Sequence, residues 1–134
     1  MKIKTALITG GAAGLGKRTA IQLAEKGIQL VINYRRSEED ACKLVQYLNE
    51  KYNTKNIALR ADISKAEDCR MLAEEAQKFA ETIDILIHNA GPYVHERKRM
   101  TDYSDEEWNY IINGNLNAVF YLSRLLSPNM RKQK

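Results

Sequence analysis

KTALITGGAAGLGKRTA, residues 4–20, sets a short run of apolar and β-branched residues against a glycine cluster, and the glycines against a helix-like segment. Residues 5–9 read as a buried strand, because a short apolar run stopped by glycine is too brief for a helix. Residues 15–26 read as a helix, with Gly27 just past its end as a left-handed cap. Working outward, the same alternation repeats. Strands are predicted at 28–33 (IQLVIN), 56–61 and 83–87 (IDILI). Between them, Ala41, Leu44, Val45, Leu48 and Tyr52 follow helical spacing, as do Cys69, Leu72, Ala73, Ala76 and Phe79. A last helix is predicted to turn Trp108, Ile111, Ile112, Leu116, Val119 and Phe120 inward. Three of these helices open on Ser-x-x-acid, at Ser37, Ser64 and Ser104, which is the pattern of a capping box.

A βαβαβαβα order without linker or repeat implies a parallel sheet with right-handed crossovers and helices on both faces. The fold class expected is therefore α/β, a doubly wound parallel sheet occupying residues 1–134 as one domain. Such sheets bind ligands beyond the carboxyl ends of their strands. The functional positions should then fall at 10–16, 34–37, 62–63 and 88–91.

Composition narrows the classes. With 44% apolar and 28% charged residues the chain reads as globular rather than disordered. No run approaches the roughly 20 apolar residues that span a bilayer, and the N-terminus does not read as a signal peptide. A net charge of +4 is spread over short clusters, Arg35–Arg36, Arg97–Lys98–Arg99 and Arg131–Lys132, with no basic stripe for nucleic acid. The last two clusters read as solvated surface. Cys42 and Cys69 lie far apart, outside any ligand motif, so no metal site is expected and the thiols suit a reducing cytoplasmic setting. His88 and His95 show no partner in the sequence and are assigned no chemistry.

At the first strand end, glycines let an anion approach the bare N–H groups of a helix N-terminus, where the dipole favours negative charge. Phosphate is the natural occupant, and two designs compete. GxxxxGK[ST] is met at Gly11, Gly16 and Lys17, but Arg18 stands where a magnesium-binding hydroxyl is needed. Thr19 is one residue late. The other design is a dinucleotide loop of variant spacing, on Thr9, Gly10, Gly14 and Gly16.

Four motifs in order make the second design specific. "TGGAAGLG" (9–16), "ADI" (61–63), "HNAG" (88–91) and "EEWNYIINGNL" (106–116) together resemble the short-chain dehydrogenase/reductase family over residues 4 to about 130. "VINYRRSEE" and "NLNAVFYLSR" are similar to its 3-oxoacyl-acyl-carrier-protein-reductase-like members. The resemblance implies that Thr9, Gly10, Gly14 and Gly16 shape the phosphate loop and that Leu15 lends a backbone N–H. It further implies that Asp62 and Ile63 hold adenine, that Asn89, Ala90 and Gly91 hold the nicotinamide-side ribose, and that Asn115 is the active-site asparagine. His88 departs from the family's Asn at that place. Read from residues alone, Asn115 lies on the apolar stripe, where a buried amide would bond a neighbouring carbonyl.

The second strand selects the cofactor. An NAD site places an acid near its end for the ribose 2′-OH, whereas here Tyr34-Arg35-Arg36-Ser37 precedes any acid. A guanidinium binds a 2′-phosphate that a carboxylate would repel. NADP(H) is therefore expected, held by Arg35, Arg36 and Ser37, with NAD less suited.

The resemblance implies hydride transfer to a small carbonyl or acyl substrate in a homo-oligomer, with a serine and a Tyr-x-x-x-Lys pair supplying the proton. The serine and pair of the family's topology are not found in these 134 residues. By this resemblance the chain is expected to be the cofactor-binding portion of a Rossmann-type sheet of strand order 3-2-1-4, truncated after the fourth strand and its following helix, inactive alone and with that strand an open sheet edge. A non-catalytic dinucleotide-binding or interaction module, or the product of a disrupted gene, is the alternative. Tyr47-x-x-x-Lys51 fits the pair literally but sits on the helix after the second strand, where it reads as a packing tyrosine and a surface lysine. Tyr93 and Tyr103 fall in a loop, 92–103, expected on the substrate side.

Overall fold

Four parallel strands carry the molecule: β1 (Thr5–Ile8), β2 (Gln29–Tyr34), β3 (Asn56–Arg60) and β4 (Ile85–Ile87). The computed structural model describes residues 2–92 and 94–133, so Tyr93 lies outside the described residues. The strand order is β3-β2-β1-β4, as the family resemblance implies. In register, Leu7 pairs with Val31 of β2 and Leu86 of β4, and Val31 with Ile57 of β3. Because β2 and β4 lie on opposite sides of β1, connections leave β1 in both directions, and a crevice opens between the carboxyl ends of β1 and β4.

The helices are α1 (Gly14–Glu25), α2 (Glu38–Tyr52), α3 (Ala66–Phe79), α4 (Asp105–Ile112) and α5 (Ala118–Arg131). Strand alternation divides the core in two. Ala6, Ile8, Leu30 and Ile32 face Ala20 and Ala24 of α1 and Ala41, Leu44 and Leu48 of α2. Leu7 and Val31 face the other way, toward Leu72, Ala73 and Ala76 of α3 and Ala118, Leu122 and Leu126 of α5. Gly27, at φ +74°, closes α1 in a Schellman motif: its N–H donates to Ala24 O, and Ile28 N–H donates to Leu23 O.

Only one of the three predicted capping boxes forms. Ser104 Oγ accepts from Glu107 N, and the Glu107 carboxylate accepts from Ser104 N. Ser37 makes no cap bond. Ser64 is drawn away: its N–H and hydroxyl both donate to Asp62 Oδ1, and Lys65 occupies the cap position of α3.

The inward face expected for the last helix is also corrected. Trp108, Leu116, Val119 and Phe120 are exposed, while Gly114, Ala118, Leu122 and Leu126 are buried. A π-helical turn at Asn113–Asn117 joins α4 to α5 and inserts a residue into the helical phase. Small Gly114 and Ala118 then take the inner positions, which permits close approach, and the bulky residues rotate outward. Tyr47 is not a packing residue either. It is exposed, accepts from Lys51 Nζ at 2.7 Å and stacks edge-on with Tyr52. His88 does have a partner, Ser123 Oγ on α5, at 3.1 Å from Nε2, and His95 is not free of interactions. Cys69 is buried and Cys42 exposed, both as free thiols, and burial pushes the Cys69 thiol up to about 11.

Candidate functional site

Beyond Ile8 the chain turns through Gly10 and Gly14, at φ +60° and +53°, conformations that side chains rarely adopt. At Gly16 the constraint is space. A Cβ there would run into the carbonyl oxygen of Gly10 and lie 2.6 Å from Asn89 Nδ2. The first turn of α1 therefore sits directly on the loop. It has no side-chain cap and no acid, and the first bond along the helix is Lys17 N–H to Ala13 O at 3.1 Å. The N–H groups of Gly14, Leu15 and Gly16 have no partner among the described residues, and they lie at the positive end of the helix dipole. The Leu15 side chain is 77% exposed beside them.

A polar frame, buried at Thr9 and Asn33 and exposed at Asn89, holds this loop. Thr9 Oγ1 accepts from the N–H groups of Asn89 and Ala90, both at 3.1 Å, which ties β1 to the segment after β4. Asn89 Nδ2 donates to Thr9 O and Gly10 O, so this side chain braces the loop. Asn33, 2% exposed at the end of β2, accepts from Gly10 N and donates to Ala61 O at 3.1 Å. Asn33 did not stand out in sequence, because a polar residue closing an apolar strand looks like the start of a loop.

Two adjoining cavities follow. One, of about 210 Å³, is lined by Gly10, Arg35, Asp62, Ile63, Ala90 and Gly91 from the predicted set, joined by Asn33, Pro92, Tyr110 and Gly114. The second, of about 300 Å³, lies between Gly10, Ala12 and Ala13 on one side and Tyr34, Arg35, Arg36 and Ser37 on the other. Arg35 and Gly10 form the shared wall. All four strand ends thus contribute to one crevice, and the second cavity has guanidinium groups and hydroxyls but no carboxylate.

Asp62 is well prepared as an acceptor. Burial alone would raise its carboxyl, but the Ser64 hydroxyl and N–H bonds and the charges of Arg35 and Lys65 outweigh that and hold it below the usual range. Its Oδ1 is engaged by Ser64, and Oδ2 has no partner among the described residues.

Asn115 is exposed rather than buried, which corrects the sequence reading. In the π-helical turn its Nδ2 donates to Ile111 O at 2.9 Å and to Pro92 O at 2.8 Å, so it bonds neighbouring carbonyls as expected and anchors the chain leaving β4. The fit is close on both sides. A Cβ on Gly91 would strike Asn115 Oδ1, and one on Gly114 would strike the Pro92 ring. That contact accounts for a glycine in mid-helix, where it costs about 1 kcal/mol relative to Ala.

The competing phosphate design fails on geometry. Lys17 lines a groove between α1 and α2 with Asp40, Lys43 and Tyr47, and Thr19 Oγ1 donates back to Leu15 O. Tyr47 and Lys51 lie outside both cavities of the crevice. Burial lowers the His88 imidazole, and its Nδ1 is buried without a partner among the described residues.

A cleft of this build, at the switch point of a parallel sheet with an open helix N-terminus on one wall, is where doubly wound α/β proteins take nucleotides. The family model for short chain dehydrogenases matches residues 4–134, and the chain belongs to that family. Among solved structures, a Bacillus thuringiensis protein described as a "putative 3-oxoacyl-reductase" superposes with a TM-score of 0.91 at 40% identity, over 98% of this chain and 54% of that one. L-sorbose reductase from Gluconobacter frateurii, complexed with NADPH and L-sorbose, gives 0.91 at 26% identity, over 98% and 49%. NADH-dependent reductase A1-R′, complexed with NAD, gives 0.89 at 30% identity, over 98% and 53%. The chain spans about half the length of the curated relatives it matches, 51% and 52% of the first two. Among the described residues no helix is long and apolar enough to cross a membrane, and no cluster of His, Cys, Asp and Glu could hold a metal ion.

Proposed function

We propose that these residues form the cofactor-binding portion of a short-chain oxidoreductase that prefers NADP(H) and acts on a carbonyl or alcohol of the 3-oxoacyl type. The carrying observation is the second cavity, where Arg35, Arg36 and Ser37 face the glycine loop across about 300 Å³ without a carboxylate. A dinucleotide would lay its pyrophosphate on the N–H groups of Gly14, Leu15 and Gly16, and Thr9, Gly10 and Asn89 keep that loop in shape. Asp62 Oδ2 accepts from the adenine amino group, and Ile63 packs against the ring. Ala90 and Gly91 approach the nicotinamide-side ribose. Asn115 orders the backbone after β4 and, through it, water at the reacting end. Bound nicotinamide would supply the hydride chemistry of the family. The same reading makes the protein a cytoplasmic homo-oligomer.

Calorimetric titration tests it. NADPH is expected to bind more tightly than NADH. Arg35→Ala removes a charge-assisted bond worth about 1.5–3 kcal/mol, so NADPH affinity should fall roughly 10- to 100-fold and NADH affinity far less. Equal losses overturn the NADP assignment, and failure to bind either dinucleotide overturns the whole reading.

A further inference from the structure

We propose that Tyr110 is a positioning residue for cofactor choice, whose ring holds the Arg35 guanidinium at the cleft so that a ribose phosphate meets an arginine already in place. The inference rests on the proposed dinucleotide reading and adds to it a residue on α4 that no glycine, acid or arginine motif indicates.

Arg35 leaves the end of β2 and Tyr110 projects from α4, 75 residues later. Their side chains meet across the cleft: Arg35 Nη2 donates to Tyr110 Oη at 3.4 Å, and the guanidinium carbon lies 5.9 Å from the ring centroid, within cation–π range. Both residues line the first cavity, whereas only Arg35 also lines the second. Tyr110 therefore approaches the guanidinium from the adenine side and leaves the wall shared with Arg36 and Ser37 open to an anion. Arg36 serves as the contrast. The residue is exposed, and its guanidinium has no ring or hydrogen-bond partner among the described residues.

An arginine that closes on a phosphate loses rotamer freedom, and a contact made beforehand removes part of that cost. The benefit goes to the phosphorylated ligand alone, since a 2′-hydroxyl offers Arg35 no charge to grip. Any apolar contact between the Tyr110 ring and adenine would be common to both cofactors. The ratio of the two affinities therefore isolates the positioning effect from the packing effect.

The test is calorimetric titration of NADPH and NADH into the wild-type chain, Tyr110→Phe, Tyr110→Leu, Arg35→Ala and the double variant Arg35→Ala/Tyr110→Leu. Tyr110 is 37% exposed, so these replacements disturb little packing. Tyr110→Leu should lower the NADPH preference about two- to five-fold, the worth of an exposed cation–π contact. Tyr110→Phe keeps the ring and should hold the wild-type preference, because a 3.4 Å hydrogen bond contributes little. In the Arg35→Ala background Tyr110→Leu should leave the preference unchanged. Equal weakening of both cofactors by Tyr110→Leu overturns the inference while leaving the proposed function standing, and so does an effect on preference that survives in the Arg35→Ala background. A wild-type chain without preference for NADPH overturns both.

Discussion

A methyl group at Gly16 would enter the space of the Gly10 carbonyl and the Asn89 amide, where Asn89 Nδ2 already donates to both Gly10 O and Thr9 O. Gly16→Ala should therefore cost about 1–3 kcal/mol, as overpacking does, and abolish dinucleotide binding. Urea unfolding and calorimetry read the two effects. His88 poses the opposite problem, a polar atom with too little company. Its imidazole, ordinarily near 6.5, is lowered by burial, so the folded state resists the proton that the unfolded chain accepts. Stability should be level above about pH 6.5 and fall as the pH drops through and below that value, because there the unfolded state binds more protons. Urea midpoints between pH 8 and 5 follow this, and His88→Asn should flatten the profile. The glycines were legible in sequence because each requirement is local to the backbone. Asn33 and Tyr110 were not, because their partners Ala61 and Arg35 are distant in the chain.

Helix starts separate pattern from geometry. Ser104 has φ −75° and ψ 161°, the extended conformation that aims a hydroxyl at the next turn, and its box closes. Ser37 has ψ 57° and makes no such bond. Ser104→Ala should accordingly cost about 1 kcal/mol and Ser37→Ala only a few tenths, measured as shifts in urea midpoint. Ser-x-x-acid states which bonds are available, and the path into the helix decides whether they form. The same distinction explains the phase slip after α4. Apolar spacing at 108, 112, 116 and 119–120 describes one continuous stripe, and nothing in it announces a π-helical turn. That turn follows from Asn115 taking the Ile111 carbonyl and from Pro92 pressing on Gly114, contacts made only when the segment after β4 is in place.

Across the whole molecule, the π-helical turn and the helices on either side of it carry large exposed apolar side chains. Trp108 on α4, Leu116 in the π-helical turn and Phe120 on α5 are 56%, 64% and 57% exposed. Exposed apolar side chains of this size favour association, and the chain is expected to self-associate with rising concentration. Leu116→Glu with Phe120→Glu should shift it to monomer in sedimentation without lowering its melting temperature, since neither side chain joins the core. β3 and β4 are the sheet edges, as the order 3-2-1-4 requires. By itself the sequence determined the alternation of strands and helices and where each strand ends, because periodicity and glycine placement act over short distances, while the sheet order came with the resemblance of its motifs to a known family. The meeting of Arg35 with Tyr110, the bracing of the loop by Asn33 and Asn89, and the face that the last helices turn to the core were decided only in three dimensions. Each depends on which distant groups are brought within hydrogen-bonding or van der Waals reach, and no local pattern of residues encodes that distance.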